Sequence, residues 1–315
     1  MEEKEIRFHK IISDPENLSK FYSAALRKYV LSNQSELIQS APVKKPAMQS
    51  KENNSSQGNP IDVVIIVAVP DEKDGVNSAF GVSKNDTRNL DLLDKYGFGY
   101  NEFEQDGLRI ALLIQPSMGM TQSASLATRA ILAFKPKLIA MVGICGGRKE
   151  KTNLGDIIIA SSVYDYTAGK HYVDRFGPRP QSYPFDTRMS EYIASTVIDN
   201  HELIGKIYDG YYGSKPGQQI HVHFKPLASG SAVVDDPEII KEASKAQDDL
   251  AGIDMEAYAL AVAANILRTK WIVIKSVQDF ADGEKGKTET AVRSFASYAS
   301  AKLLQLILND LSMYL

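Results

Sequence analysis

An α/β fold, with a mixed or mostly parallel sheet and helices on both faces, is what this sequence predicts, and three observations predict it. Short β-branched apolar runs, such as IDVVIIVAV from Ile61 and WIVIKSVQDFAD from Trp271, recur along the chain. Runs of that composition suit strands buried on both faces. Segments of helical periodicity separate them, and strands alternating with helices indicate a layered α/β domain. With 315 residues, 43% of them apolar, the chain is long enough to bury one large core or two small ones.

The elements follow in order. Residues 1–40 read as a lead-in and one amphipathic helix: Asp14 can cap it, Pro15 suits its first turn, and Glu16 favours the positive end of its dipole. Leu18, Phe21, Tyr22, Ala25, Leu26 and Tyr29 recur there at helical spacing. A lone helix cannot cover such a stripe, so it is expected to dock on the main domain, on a second copy or on an activating protein partner. Residues 41–60, rich in Pro, Ser, Asn and Lys, have the composition of a flexible linker. The main domain is expected over 61–315. After the first strand come a strand pair near Gly99–Glu104 and LRIALLIQP, then a helix over Thr121–Phe134 ended by Lys135-Pro136. KLIAMVGICGG and GDIIIASSVYDY read as strands, and a long polar segment runs on to about Asp186. A helix over Arg188–Asn200, a strand at HVHFKPLASGS and a helix over Pro237–Leu250 follow. The Ile253–Glu256 stretch reads as the start of another helix, and a final helix spans about Thr288–Leu311.

Bulk properties narrow the function. A charged fraction of 24% and a net charge of −3, with no basic block, argue against direct nucleic-acid binding. The apolar runs are too short to span a bilayer, and no hydrophobic segment follows the charges of MEEKEIRFHK, so a cytoplasmic protein is expected. The single cysteine, Cys145, fits a reducing compartment. Five histidines are scattered; His221 and His223 share a strand face, but two ligands do not make a metal site, and structural roles are expected for both. Neither metal nor cofactor is expected.

Ligands of open α/β sheets gather at the carboxyl ends of strands. Here those ends carry Val69-Pro70-Asp71-Glu72, Gly143-Ile144-Cys145-Gly146-Gly147, Ser229-Gly230-Ser231-Ala232, Ile253-Asp254-Met255-Glu256 and Gln278-Asp279-Phe280-Ala281-Asp282. Each has a plain reading: Glu72 a solvated loop carboxylate, the glycines a tight turn, Asp254 and Glu256 first-turn acids, Asp279 and Asp282 turn residues. Glu72, Glu256 and Asp279 together, at the mouths of apolar strands, call for a site.

In order and spacing, AVPDE, GICGG, GDIIIASSVYDY, SGSAVV, DMEAYALA and SVQDFADGEK resemble the nucleoside phosphorylase superfamily, over roughly residues 61–311. The resemblance is closest to its hydrolytic branch, the methylthioadenosine/S-adenosylhomocysteine nucleosidases. It implies a three-layer domain with a mixed central sheet flanked by helices, and cleavage of a purine N-glycosidic bond through a cationic sugar. On that resemblance, Asp279 is the general acid toward N7 of the purine, Glu72 activates water and Glu256 holds the ribose hydroxyls. Met255 packs beneath the sugar, Val233 stands where the purine is stacked, and Ile144, Gly146 and Gly147 form the glycine loop against the ligand. Lys275 and Asp282 are expected to support the Asp279 loop by ion pairing, or else to lie on the surface. The acids of VPDEKDG would repel inorganic phosphate, which favours hydrolysis over phosphorolysis.

Three departures bear on substrate. Val233 replaces an aromatic residue, Ile144 replaces a small hydroxyl residue, and TAGKHYVDRFGPRP carries Lys170, His171, Arg175 and Arg179 where the family has apolar groups near the 5′ end of the sugar. Cations there suit phosphates; their plain reading is a solvated loop. GICGG, SGSAVV and Lys170 of the DYTAGK strand end together also resemble the ATP-nucleosidase effectors of bacterial anti-phage systems. The expectation is therefore an adenine nucleotide hydrolase of ATP/AMP type, a homo-oligomer with no cofactor. The alternatives are a methylthioadenosine/S-adenosylhomocysteine nucleosidase and a non-catalytic nucleotide-binding module.

Overall fold

The computed structural model describes residues 60–82, 96–282 and 289–315, and only the backbone of 289–291. The helix expected over 1–40, and all of the expected linker except Pro60, lie outside the described residues.

The first strand, β1 (Val63–Val67), is buried at every position. Its neighbours contribute to that: it pairs in parallel with β3 (Leu108–Ile114) on one side and β4 (Leu138–Gly147) on the other. Around it the sheet runs in the order β10, β9, β5, β11, β4, β1, β3, β2. The remaining strands of that series are β2 (Asn101–Gln105), β5 (Ile157–Asp165), β9 (Val222–Ser229), β10 (Gly252–Asp254) and β11 (Lys270–Asp279). The sheet is mixed, as expected: β11 runs parallel to β4 but antiparallel to β5.

A second pairing shapes the functional end. Gly252 and Ile253 of β10 pair antiparallel with Gly147 and Gly146 of β4, while β10 also runs parallel to β9. The strands β4, β11, β5, β9 and β10 thus close a circuit. The expectation of a helix beginning at Ile253 is corrected here, because this stretch of backbone completes the circuit first. Helix α6 (Ala257–Ile266) starts only after Glu256.

Among the other helices, α1 (Pro70–Phe80) begins with proline at its first turn, where the missing N–H costs nothing. Helix α2 (Met120–Phe134) stops at Lys135, just before Pro136. Helix α7 (Glu289–Ser312) packs on α1, α2 packs on α6, and both α6 and α7 lie against β4, β5 and β11. Helices flank the sheet accordingly.

Departures lie in the intervening segments. The polar stretch before Asp186 contains short strands β6 (Gly169–His171), β7 (Phe176–Pro178) and β8 (Ser182–Pro184). The helix expected over 188–200 is α3 (Thr187–Tyr192), capped by the Asp186 side chain, which widens into a π-type turn over Ile193–Val197. An unforeseen helix, α4 (His201–Asp209), begins at Asn200, whose side chain accepts from the Glu202 and Leu203 amides. Helix α5 spans only Pro237–Ser244. Beyond it the amides of Lys245, Ala246 and Gln247 turn back to carbonyls three residues earlier, and Asp249 pairs with Lys225 at 3.0 Å.

His221 and His223 both serve a structural carboxylate. Asp156, fully buried, accepts from the Asn153 amide at 2.9 Å and the His221 amide at 2.8 Å, with His223 Nε2 at 2.8 Å. Asp156→Ala would strand these groups, and denaturant unfolding should register a loss of about 1–3 kcal/mol.

Candidate active site

The strand ends converge on a cavity of about 270 Å³ lined by Glu72, Ile144, Cys145, Gly146, Val233, Met255, Glu256 and Asp279, among others. Seven of the residues singled out from sequence therefore share one cavity: Glu72, Ile144, Gly146, Val233, Met255, Glu256 and Asp279.

Glu72 sits in the first turn of α1 and is 1% exposed. Its Oε2 accepts from the amides of Ala68 at 2.6 Å and Val69 at 3.2 Å, the backward reach of a capping-box glutamate. Its Oε1 crosses to β4 and accepts from the Ile144 amide at 2.9 Å. A helix cap alone would leave that oxygen to solvent. Instead the carboxylate occupies the space a side chain at Gly143 would need: a Cβ there would lie 1.9 Å from Oε1.

Beneath the cavity stands Lys275 of β11, with no exposure to solvent. Its Nζ lies 3.4 Å from Asp254 Oδ2 and 3.8 Å from both Glu72 Oε1 and Glu256 Oε2. No hydrogen-bond acceptor among the described residues meets it in good geometry. The ammonium is held by charge. Burial favours its neutral form, but the three carboxylates outweigh that and raise its pKa. This corrects both readings of Lys275, as an ion-pair support of the Asp279 loop and as a surface residue. Asp282 pairs instead with Lys149, at 3.3 Å.

Asp254 and Glu256 flank the start of α6. Asp254 accepts from Ser229 Oγ at 2.6 Å and from the Ala257 amide at 3.0 Å, so β9, β10 and α6 are tied at one point. Glu256 Oε1 accepts from the Gly119 amide at 2.8 Å. Burial pushes its pKa up; Lys275 and the Gly119 amide pull it down, and the charges of Asp254 and Glu72 add to the rise, leaving it at about 7. Near neutrality Glu256 is therefore partly protonated. Cys145, in the same wall, has its thiol pushed far up by burial and stays neutral.

Asp279 ends β11. Its Oδ2 accepts from Gln278 Nε2 at 3.0 Å and its Oδ1 from the Ala281 amide at 2.9 Å. Val233, 64% exposed, and the buried Val234 both line the cavity. Met118 and Arg293, not singled out in the sequence, also line the cavity.

Four expected ligand contacts lie elsewhere. Gly147 is a packing position: a Cβ there would lie 2.5 Å from both Val277 Cγ1 and Thr152 Oγ1. Lys170, Arg175 and Arg179 are exposed on and beside the β6–β7 hairpin and are not among the residues lining the cavity. They gather around Tyr172, with Lys170 Nζ and Arg175 Cζ each 5.0 Å from its ring centre and Arg179 donating to its hydroxyl at 3.3 Å.

The family model described as Phosphorylase superfamily matches residues 62–311. The Uncharacterized protein y4jS of Sinorhizobium fredii is 40% identical over 195 residues, 60% of this chain and 46% of that protein. ATP nucleosidase Cap17 of Escherichia coli is 25% identical over 253 residues, 76% of this chain and 49% of that protein. The chain thus spans about half the length of these curated relatives. Among solved structures, a 5′-methylthioadenosine/S-adenosylhomocysteine nucleosidase from Colwellia psychrerythraea, in complex with adenine, superposes with a TM-score of 0.63 at 18% identity. That superposition covers 80% of this chain and 96% of the other.

The Lys275 cluster yields a direct expectation. Lys275→Met keeps the packing but leaves buried carboxylates without a counter-charge, so stability should fall by about 3–5 kcal/mol. Without the cation the pKa of Glu256, already raised by burial, rises further above its unfolded value. Stability is then retained in acid and lost as pH rises. Denaturant unfolding in mild acid and above neutrality should show the larger loss at the higher pH.

Proposed function

The chain belongs to the phosphorylase superfamily, and from that premise we propose that it hydrolyses the N-glycosidic bond of an adenine nucleotide of ATP or AMP type, releasing adenine. The observation that carries this reading is the convergence of Glu72, Glu256 and Asp279 on one cavity.

In this reading the C1′–N9 bond breaks and its electron pair leaves on the purine. Asp279 gives a proton to N7, so that neutral adenine departs. Water delivers hydroxide to C1′ while Glu72 takes its other proton. Glu256 accepts from the ribose hydroxyls over Met255. The acid-rich cluster around Lys275 is preorganised for a sugar that becomes cationic, which is where fixed charge contributes most. Glu72, held by three backbone amides and facing Lys275, is placed to act as a base. An anionic co-substrate would meet Glu72, Asp254 and Glu256 in that wall, which favours water over inorganic phosphate.

ATP or AMP as substrate draws support from the likeness to an ATP nucleosidase. The second reading, a methylthioadenosine/S-adenosylhomocysteine nucleosidase, is favoured by one feature: Met118 and Val233 make part of the lining apolar. An anti-phage effector role in the cytoplasm, with residues 1–40 docking a second copy or an activating partner, belongs to the proposal. No helix among the described residues is long and apolar enough to cross a membrane.

Purified protein incubated with ATP, AMP, adenosine and methylthioadenosine should release adenine fastest from a 5′-phosphorylated substrate, by about tenfold or more over methylthioadenosine. Asp279→Asn and Glu72→Gln should each cut turnover by about 100-fold or more with the fold intact. Near-wild-type rates in both variants would remove these residues from the chemistry, and the absence of adenine from every substrate would leave only a binding module.

The position of Glu256 predicts a pH profile. Only its ionised form accepts from both hydroxyls, and its pKa is raised to about 7. The ionised fraction grows with pH, so kcat/KM should rise through about 7. Glu256→Gln should lower kcat/KM and flatten that limb.

A further inference from the structure

A nucleotide brings anionic charge to a cavity whose charged lining residues are, but for one, acids. Glu72, Asp254, Glu256 and Asp279 all line it. At about 270 Å³ it lies just below the ~300–1,000 Å³ usual for small-molecule sites, small for a whole nucleoside triphosphate. Lys275 cannot serve the phosphates, since it lies beneath the acids and out of solvent.

Among the described residues lining the cavity, one is a cation: Arg293, on α7. Its side chain is 30% exposed, which puts the guanidinium at the solvent side. Two tethers hold it. Nε donates to Asp71 Oδ2 at 2.6 Å, and Nη1 donates to Gln278 Oε1 at 3.3 Å. The Asp71 side chain is itself 52% exposed, and an ion pair so open to water is held weakly and can be exchanged. Arginine meets phosphate oxygens with two parallel, charge-assisted bonds, a stronger arrangement than this exposed contact with one carboxylate oxygen. The Gln278 tether keeps the guanidinium beside Asp279 during such an exchange, because the Gln278 amide bonds to both residues.

We propose that Arg293 binds the 5′-phosphates of the substrate at the cavity mouth, giving up Asp71 to do so, and that it sets the preference for nucleotides over nucleosides. The inference rests on the reading of this cavity as an adenine nucleotide site. It adds a phosphate contact built from the cavity's own wall, separate from the hairpin cations around Tyr172.

The test is calorimetric titration of ATP and of adenosine into the full chain carrying Asp279→Asn, which slows turnover by about 100-fold or more. Adding Arg293→Ala should weaken ATP by at least about tenfold and adenosine by less than about twofold. Arg293→Lys, which keeps the charge without the fork, should fall between. Asp71→Asn should act in the opposite direction, tightening ATP and leaving adenosine alone, because it removes the competing anion. Equal weakening of both ligands by Arg293→Ala would mean that Arg293 only positions Gln278 and Asp279, and would overturn the proposal. So would unchanged ATP affinity in Arg293→Ala, or a parent protein that binds ATP no better than adenosine. Failure of the nucleosidase reading looks different: no adenine from the unmodified protein, with the Arg293-dependent difference in affinity intact.

Discussion

One buried ammonium organises this molecule. Lys275 Nζ faces Glu72, Asp254 and Glu256 at 3.4–3.8 Å, and each of those carboxylates belongs to a different tie in the fold. Glu72 joins the start of α1 to β4; Asp254 joins β9 and β10 to α6; Glu256 reaches the loop before α2. Taking four charged groups out of water is costly, and a buried pair of this kind is rarely worth more than an apolar replacement. What the cluster gives is placement: three acids held in a cavity that also reaches Asp279. The raised pKa of Glu256 follows from its burial beside two further carboxylates, which the one cation only partly offsets.

The sheet makes that placement possible. Because β10 pairs with both β9 and β4, the ends of β4, β9, β10 and β11 come round to one spot. Gly143 then leaves the space into which Glu72 projects, and the Ile144 amide next to it supplies the hydrogen bond. Ile144 contributes to the site through its backbone as well as through its place in the wall. The same geometry accounts for Gly147, whose missing side chain admits Val277 and Thr152 and not a ligand.

Much of this was legible. The β-branched runs gave their strands because burial on both faces selects such residues, and the acids at strand ends pointed to a site because solvation explains one such acid but not three. The misses have physical causes. Lys275 sits in IVIKSVQD, where nothing local tells a fully buried lysine from one that reaches solvent; only partners far along the chain decide it. The Gly252–Asp254 strand is too short to carry a periodic pattern, and its identity comes from pairing with Gly146 and Gly147. Helix α4 did have a signal, since Asn200 precedes an amphipathic HELIGKIY, but the expected helix before it ran on to the same residue. Cations at 170–179 stood out by type, whereas Arg293 looked ordinary in a long helix until the fold brought it beside Asp71 and Gln278.

These arrangements bear on reaction class. A carboxylate held by three backbone amides and facing an ammonium is suited to take a proton from water, and the surrounding acids disfavour an anionic nucleophile. The central claim is thus that water, activated at Glu72, is the group added to the sugar. The most direct measurement is mass spectrometry of the sugar product formed from ATP in heavy-oxygen water with inorganic phosphate present. The account predicts one heavy oxygen on the C1 hydroxyl and a rate indifferent to phosphate. A sugar 1-phosphate product, or a rate that rises with phosphate, would contradict it.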